Sequence, residues 1–193
     1  MRLIKFISNL FLVIFIIKAM TMNAFAVEIT PYEVEKKITD NIEIRYYKKL
    51  LLATTKQSNK SQNGLFRSLF KFISGKNSEN QEIKMTAPVF QEEIGSEMIM
   101  SFAMPAKYSK SNLPTPDDQN IIINNYKDKR FIAIRFSGRS NDKNFAKYQK
   151  IVEQVIKEKK LKVKLSNPIK AYYNHPWTLP IFKRNEVLFE IIK

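Results

Sequence analysis

The chain has 193 residues, with 33 Lys and Arg against 18 Asp and Glu, a formal net charge of +15 and no cysteine. The lack of cysteine excludes disulfides, thiolate metal sites and a cysteine nucleophile. The positive charge indicates an anionic partner, and since no basic run is interleaved with Gly and aromatic residues as in RNA-binding modules, we expect no nucleic acid.

The first 26 residues have the pattern of a secretory signal peptide. Arg2 and Lys5 precede a mostly apolar run, residues 6–17, which is shorter than the ~20 residues that span a bilayer. Residues 24–26, Ala-Phe-Ala, then supply the small-x-small pattern that signal peptidase reads. We predict cleavage after residue 26, a periplasmic or secreted location, and no stable membrane span in the mature chain. The alternative is an uncleaved anchor, since Lys18 lies between the apolar run and the cleavage site.

The predicted mature chain, residues 27–193, is long enough for one domain. Three of the 33 basic residues and none of the 18 acidic residues lie in the signal segment, so the mature chain carries a net charge of +12. A domain of this length buries roughly 70% of the surface of its unfolded chain. An exported domain without disulfides depends on its core, which an apolar content of 44% makes feasible.

The first half of the mature chain reads as strands around one helix. Alternating apolar and polar residues predict strands over residues 32–38 and 42–55. Apolar residues at helical spacing predict a helix over residues 64–74, which Gly75 ends.

The next strand is predicted over residues 82–90, Glu-Ile-Lys-Met-Thr-Ala-Pro-Val-Phe. Pro88 cannot donate to a ladder and should lie at a bulge, a strand end or an open edge. A further strand is predicted over residues 98–104, before a connection that contains three prolines, residues 105–118.

The second half repeats this order. Strands are predicted over residues 121–123 and 130–137, and Ser140 or Asn141 can cap a helix whose apolar stripe starts at Phe145. The patterns of residues 169–174 and 186–192 predict two closing strands.

The two halves therefore share an element order, and they also share a short motif. Residues 42–46 and 132–136 both read Ile-x-Ile-Arg followed by an aromatic residue. One four-stranded half with one helix cannot cover both of its sheet faces, whereas two halves can enclose a common core. We predict an α+β fold in which duplicated β-β-α-β-β halves form a distorted antiparallel β-barrel flanked by helices.

Motifs along nearly the whole mature chain resemble the SOUL family of haem-binding proteins. They are Ile-Arg-Tyr-Tyr at residues 44–47, Lys-Met-Thr-Ala-Pro-Val at 84–89, Ser-Phe-x-Met-Pro at 101–105, Leu-Pro-x-Pro at 113–116, Phe-Ser-Gly at 136–138, and Tyr-Asn-His-Pro-Trp-Thr-Leu-Pro at 173–180 with Lys-Arg-Asn-Glu-Val at 183–187. The resemblance implies a distorted barrel flanked by helices. It also implies that the ligand is haem or another anionic tetrapyrrole, bound without a covalent bond and usually on an exposed apolar surface.

The resemblance places haem contacts on the first helix and near the last basic pair. The corresponding residues are Arg67, Phe70 and Lys71 on the helix, with Lys183 and Arg184 in the loop. In this interpretation apolar contact holds the porphyrin and the basic side chains meet its propionates. The alternative is that Phe70 faces the core and that the charges only solvate the surface.

Two residues are candidate axial ligands for the iron. Some members of the family carry His at the position of Tyr46, and a phenolate can bind ferric iron, but a strand Tyr is more commonly a packed ring. His175 is the only histidine and precedes Pro176 in a loop, where a plain surface role is the simpler interpretation. The sequence shows no ligand cluster with the spacing of a structural metal site.

The sequence is also compatible with functions other than haem binding. Similar duplicated folds serve as ligand-sensing or partner-interaction modules, which is the main alternative to haem binding. The sequence contains no recognisable pairing of a nucleophile with a general base, and we expect no enzymatic activity. The sequence does not indicate an oligomeric state.

Overall fold

A computed structural model describes residues 27–58, 62–164 and 167–192. The predicted signal peptide, residues 1–26, lies outside these ranges. The described α-helices and β-strands are, in chain order, β1 (Glu28–Ile29), β2 (Glu33–Lys37), β3 (Ile42–Gln57), α1 (Gln62–Ile73), β4 (Thr86–Ala87), β5 (Val89–Ile94), β6 (Glu97–Ala103), β7 (Ile122–Phe136), α2 (Asp142–Glu158), β8 (Ile169–Tyr172) and β9 (Asn185–Ile191). A short 3-10 helix, Pro180–Phe182, lies between β8 and β9.

Six strands close an antiparallel barrel. Their order is β3-β6-β5-β8-β9-β7, and β7 pairs back with β3. Strand β2 pairs with the first part of β3, while β1 and β4 form a separate short parallel pair. The predicted α+β barrel flanked by helices is confirmed.

The longest pairing in the barrel joins β3 and β7, from Ile42 opposite Ile134 to Thr54 opposite Ile122. The prediction of separate strands over residues 121–123 and 130–137 is therefore wrong, because one strand spans both. Its middle, residues 124–130, reads Asn-Asn-Tyr-Lys-Asp-Lys-Arg and lacks the apolar alternation that predicts a strand. These residues partly line the barrel interior and are partly exposed, so few of them need to be apolar.

The pairing of β3 with β7 supports an internal duplication. Ile42 lies opposite Ile134, and Ile44 lies opposite Ile132. The motif that the two halves share is therefore paired with its own copy in antiparallel register. A two-fold relation between the halves produces this arrangement, with its axis at the pair Glu43–Ala133.

The two helices cover the outside of the barrel with separate apolar clusters. Helix α1 buries Leu65, Leu69 and Phe72 against outward residues of β3, which include Leu51. Helix α2 packs Val152 and neighbouring residues against β7 and β9. Its predicted cap at Asn141 is confirmed, since the side chain accepts a hydrogen bond from the backbone N–H of Asn144 at 3.0 Å. Alternate residues of β3 and β7 face inward and form a third cluster.

Residues 82–90 do not form one strand, contrary to the prediction. Strand β4 contains only Thr86 and Ala87, and β5 begins after Pro88. The two strands belong to different sheets, since β4 pairs with β1 whereas β5 pairs with β6, and Pro88 between them has no N–H to donate. The prediction that Pro88 lies at a strand end is confirmed.

Substitution of Ala87 by Phe should lower the free energy of unfolding by about 1–3 kcal/mol, because Ala87 is buried and an added ring overpacks its surroundings. The Ala87 carbonyl accepts a hydrogen bond from the Thr30 N–H at 2.8 Å, which limits relaxation of the backbone. Urea unfolding measures the effect. The control is Lys84→Phe, at an exposed position of the same segment, which should change little. Equal stability of Ala87→Phe and the parent would show that this face has room for a ring.

Candidate functional site

Helix α1 presents an aromatic pair to solvent. Its other side is buried, yet Phe66 is 41% exposed and Phe70 is 49% exposed. The two rings stack with centroids 5.9 Å apart and an interplanar angle of 13°. Phe66 also meets Phe102 of β6 edge-on, with centroids 5.3 Å apart, so the pair is anchored on the barrel. Phe70 thus offers half of its side chain to a ligand and does not lie in the core.

Two exposed cations lie beside this pair, Arg67 and Lys71. Among the described residues, no ion pair holds either of them. Lys71 acts on the charge of Asp118, whose pKa is lowered mainly because Ser68 donates a hydrogen bond to its carboxylate, with smaller effects from Asn120 and Lys71. The charge of Asp118 partly offsets that of Lys71. The α1 surface otherwise combines apolar rings with positive charge that no ion pair neutralises among the described residues.

A second exposed apolar surface is the loop between β8 and β9, residues 173–184. Its large apolar side chains are 62–80% exposed, namely Trp177, Leu179, Ile181 and Phe182. The exposed His175 ring stacks on Trp177, with centroids 4.8 Å apart. Lys183 donates a hydrogen bond from Nζ to the Pro176 carbonyl at 2.8 Å, within the same loop.

Arg184 belongs to a buried network rather than to a free surface. Its guanidinium lies 2.7 Å from Glu186 and 3.9 Å above the centre of the Tyr173 ring. Glu186 is fully buried and also accepts two hydrogen bonds from Arg45, at 2.5 and 2.9 Å. The network joins β3, β9 and the end of the loop.

Burial alone would raise the pKa of the Glu186 carboxyl. Hydrogen bonds and charge from Arg45, together with the charge of Arg184, outweigh burial, and the pKa is lowered. The carboxylate therefore stays ionised, which suits a structural ion-pair network. Arg45 is 1% exposed and points into the barrel, which the strand pattern of residues 42–55 did not predict.

The Tyr46 side chain interacts with two neighbouring charged residues. Its hydroxyl donates a hydrogen bond to the Asp128 carboxylate, and the Arg130 guanidinium lies 4.8 Å from the ring centre. The hydrogen bond to Asp128 raises the pKa of Tyr46, with a smaller effect of desolvation. A raised pKa disfavours the phenolate that iron ligation requires.

The structure does not unite all of the residues predicted for the site. Arg67, Phe70 and Lys71 share α1, and His175, Lys183 and Arg184 share the 173–184 loop. Within residues 27–58, 62–164 and 167–192, no hydrogen bond, ion pair or ring contact joins that helix to that loop. In the same ranges, no group of His and carboxylate residues could hold a metal ion. No described helix combines the length and hydrophobicity of a membrane span.

Comparisons with known proteins give one family and one fold. Residues 27–190 match the model of the family described as SOUL heme-binding protein. No curated protein sequence matches the chain. Among solved structures, the EcmrR C-terminal domain has a TM-score of 0.59 at 12% identity, covering 84% of this chain and 98% of that one. A hydrolase from Listeria innocua has a TM-score of 0.56 at 6% identity, covering 91% and 98%. At these identities, the two likenesses show the fold alone.

Proposed function

The chain belongs to the SOUL haem-binding protein family, and we propose that its mature form is an exported tetrapyrrole-binding protein. Family membership implies binding of haem or a related tetrapyrrole. The proposal of binding on α1 rests on one observation, the stacked, half-exposed pair of Phe66 and Phe70, which has the exposed cations Arg67 and Lys71 next to it in the helix. The proposal of export, to the periplasm or beyond, rests on the signal pattern and on a family match that begins at residue 27, directly after the predicted cleavage site.

Apolar contact on α1 supplies most of the affinity in this proposal. Burying roughly 400 Å² of apolar surface contributes about 10 kcal/mol at about 25 cal/mol per Å². Lost freedom of association costs about 4 kcal/mol or more, and the remaining ~6 kcal/mol corresponds to a dissociation constant of tens of micromolar. Exposed ion pairs add about 0–1 kcal/mol each, so Arg67 and Lys71 bring the affinity towards micromolar by pairing with the propionates.

The loop residues have lesser roles in this proposal. Arg184 is held by Glu186, and we assign it to the stability of the fold rather than to the propionates. Lys183 closes the loop through its hydrogen bond to Pro176. We assign neither His175 nor Tyr46 as an axial ligand, because Tyr46 already donates to Asp128 and no contact links His175 to α1 among the described residues. We propose no catalytic role for the chain.

Titration of haemin into purified residues 27–193 tests the proposal. A Soret shift that saturates at one equivalent, with a micromolar dissociation constant, is the expected result. Binding should weaken moderately at high salt, because salt screens the exposed ion pairs to the propionates. Absorbance that rises without saturation would contradict the proposal and favour a ligand-sensing or partner-interaction module that does not bind haem.

N-terminal sequencing of the exported protein tests the localisation. We expect the first residue to be Val27, because Ala24 and Ala26 occupy the positions that signal peptidase reads. An Ala26→Arg variant should retain the leader, while Lys18→Gln should be processed normally. Membrane-bound protein that retains Met1 would contradict export as a cleaved domain.

A further inference from the structure

The barrel encloses a cavity of about 310 Å³. This volume lies at the lower end of the range of small-molecule sites, about 300–1,000 Å³. Its apolar wall comes from several strands and includes Leu50, Leu52, Phe90, Phe131 and Leu188. The cavity is distinct from the α1 surface, since Leu51 and Ala53 pack on the outside of β3 beneath α1, whereas Leu50 and Leu52 face inward.

A buried hydroxyl on the cavity wall lacks a partner. Tyr47 is 1% exposed, and its hydroxyl makes no hydrogen bond in the described part of the chain. Burial raises the pKa of Tyr47, so the hydroxyl stays protonated and is able to donate. A buried donor without a partner costs about 1–3 kcal/mol.

A carboxylate on the same wall has neither a hydrogen bond nor an ion pair among the described residues. It belongs to Glu92 of β5, which lines the cavity. The nearby acid Glu190, by contrast, is paired with Lys129 and lies 3.9 Å from Lys164. Burial raises the pKa of Glu92, Lys164 opposes this effect and Glu190 adds to it.

We propose that the interior cavity binds a small amphipathic amine, whose apolar body lies against the Leu and Phe side chains and whose ammonium group pairs with Glu92. An anionic ligand is disfavoured, because Glu92 and Glu190 both line the cavity and both of its lysines lie within ion-pair distance of Glu190. The propionates of haem would likewise meet Glu92. The cavity is therefore a second site, whose ligand is a cation, whereas the ligand proposed for the α1 surface is an anion.

Three probes with the same apolar body test this proposal by calorimetric titration of residues 27–193. They are phenylbutylamine, phenylbutanol and phenylbutyrate. We expect the amine to bind at least tenfold more tightly than the alcohol, and the carboxylate to bind most weakly. Glu92→Gln should bring the amine to within threefold of the alcohol and leave the alcohol unchanged. Glu153→Gln, the same change at an exposed position of α2, should have no effect.

The remaining outcomes separate this site from haem binding. Ile99→Trp, which fills the cavity, should abolish binding of the amine and the alcohol while leaving the haemin titration unchanged. Phe70→Asp should leave amine binding unchanged. Equal affinity of amine and alcohol for the parent protein, no binding of any probe, or an amine preference that survives in Glu92→Gln would each overturn the proposal. Competition between haemin and the amine would also overturn it, since the two ligands would then share one site.

Discussion

Replacing Phe70 with Asp should weaken haem binding about 10–100-fold. Burial of a Phe side chain contributes about 1.5–3 kcal/mol, and that contribution is lost when the ring that stacks on Phe66 is removed. The new carboxylate also repels the propionates. Because Phe70 is 49% exposed, the fold should stay intact, which circular dichroism verifies. Parallel haemin titrations of the parent and the variant measure the effect.

The matched control is Trp177→Asp. Trp177 is 80% exposed on the 173–184 loop, so this variant removes an aromatic side chain from the other exposed apolar surface. Haem affinity should stay within about twofold of the parent. If Trp177→Asp weakened haem binding and Phe70→Asp left it unchanged, the haem site would have to be assigned to the loop rather than to α1.

Glu186→Gln should lower the free energy of unfolding by about 3–5 kcal/mol. The substitution removes the fully buried counter-charge of Arg45, whose side chain is 2% exposed, and leaves it the partly exposed Glu43. A broken buried pair costs about this amount. Urea unfolding measures the loss. The control is Glu97→Gln, whose partner Lys56 is largely exposed, and which should cost at most about 1 kcal/mol. Similar small effects in both variants would show that the Arg45–Glu186 network does not stabilise the barrel.

Acid titration should report on the same carboxylate. The pKa of Glu186 is lowered in the folded chain from an ordinary value of 4.5. Its contribution is therefore fully present above about pH 4.5 and is lost as the pH falls through the folded-state pKa. The parent should lose more stability than Glu186→Gln between about pH 5 and pH 3. Equal losses would assign the acid sensitivity to other carboxylates.

Periodicity predicted those elements that bury only one face. Helix α1 has apolar residues at helical spacing because one side packs on the barrel and the other meets water. The full length of strand β7 was not predicted, because its middle partly lines a cavity and is partly exposed. Neither face of this segment is therefore consistently apolar. Residues 82–90 were misleading, since their alternation is apolar enough for one strand while the strands on either side of Pro88 belong to different sheets.

The exposed rings and cations of the candidate site on α1 could be predicted because they lie close together in the sequence. The helical spacing of Phe66, Phe70 and the adjacent cations is visible within one turn of α1. The assignment of Arg184 to the ligand could not be checked in this way, because its role depends on Glu186, which pairs with a residue 141 positions away in the sequence. The cavity could not be predicted from the sequence either, because its wall is formed by strands that only the closed barrel brings together.

Haemin titration of a Tyr46→Phe, His175→Ala variant tests most directly whether apolar contact rather than axial ligation holds the haem. Both candidate axial ligands of the sequence analysis are removed, while α1 is untouched. If the account is correct, the dissociation constant stays within about threefold of the parent value and the position of the Soret band is unchanged. Loss of the Soret shift in a variant whose circular dichroism shows an intact fold would contradict it, and the single variants would then identify the axial ligand.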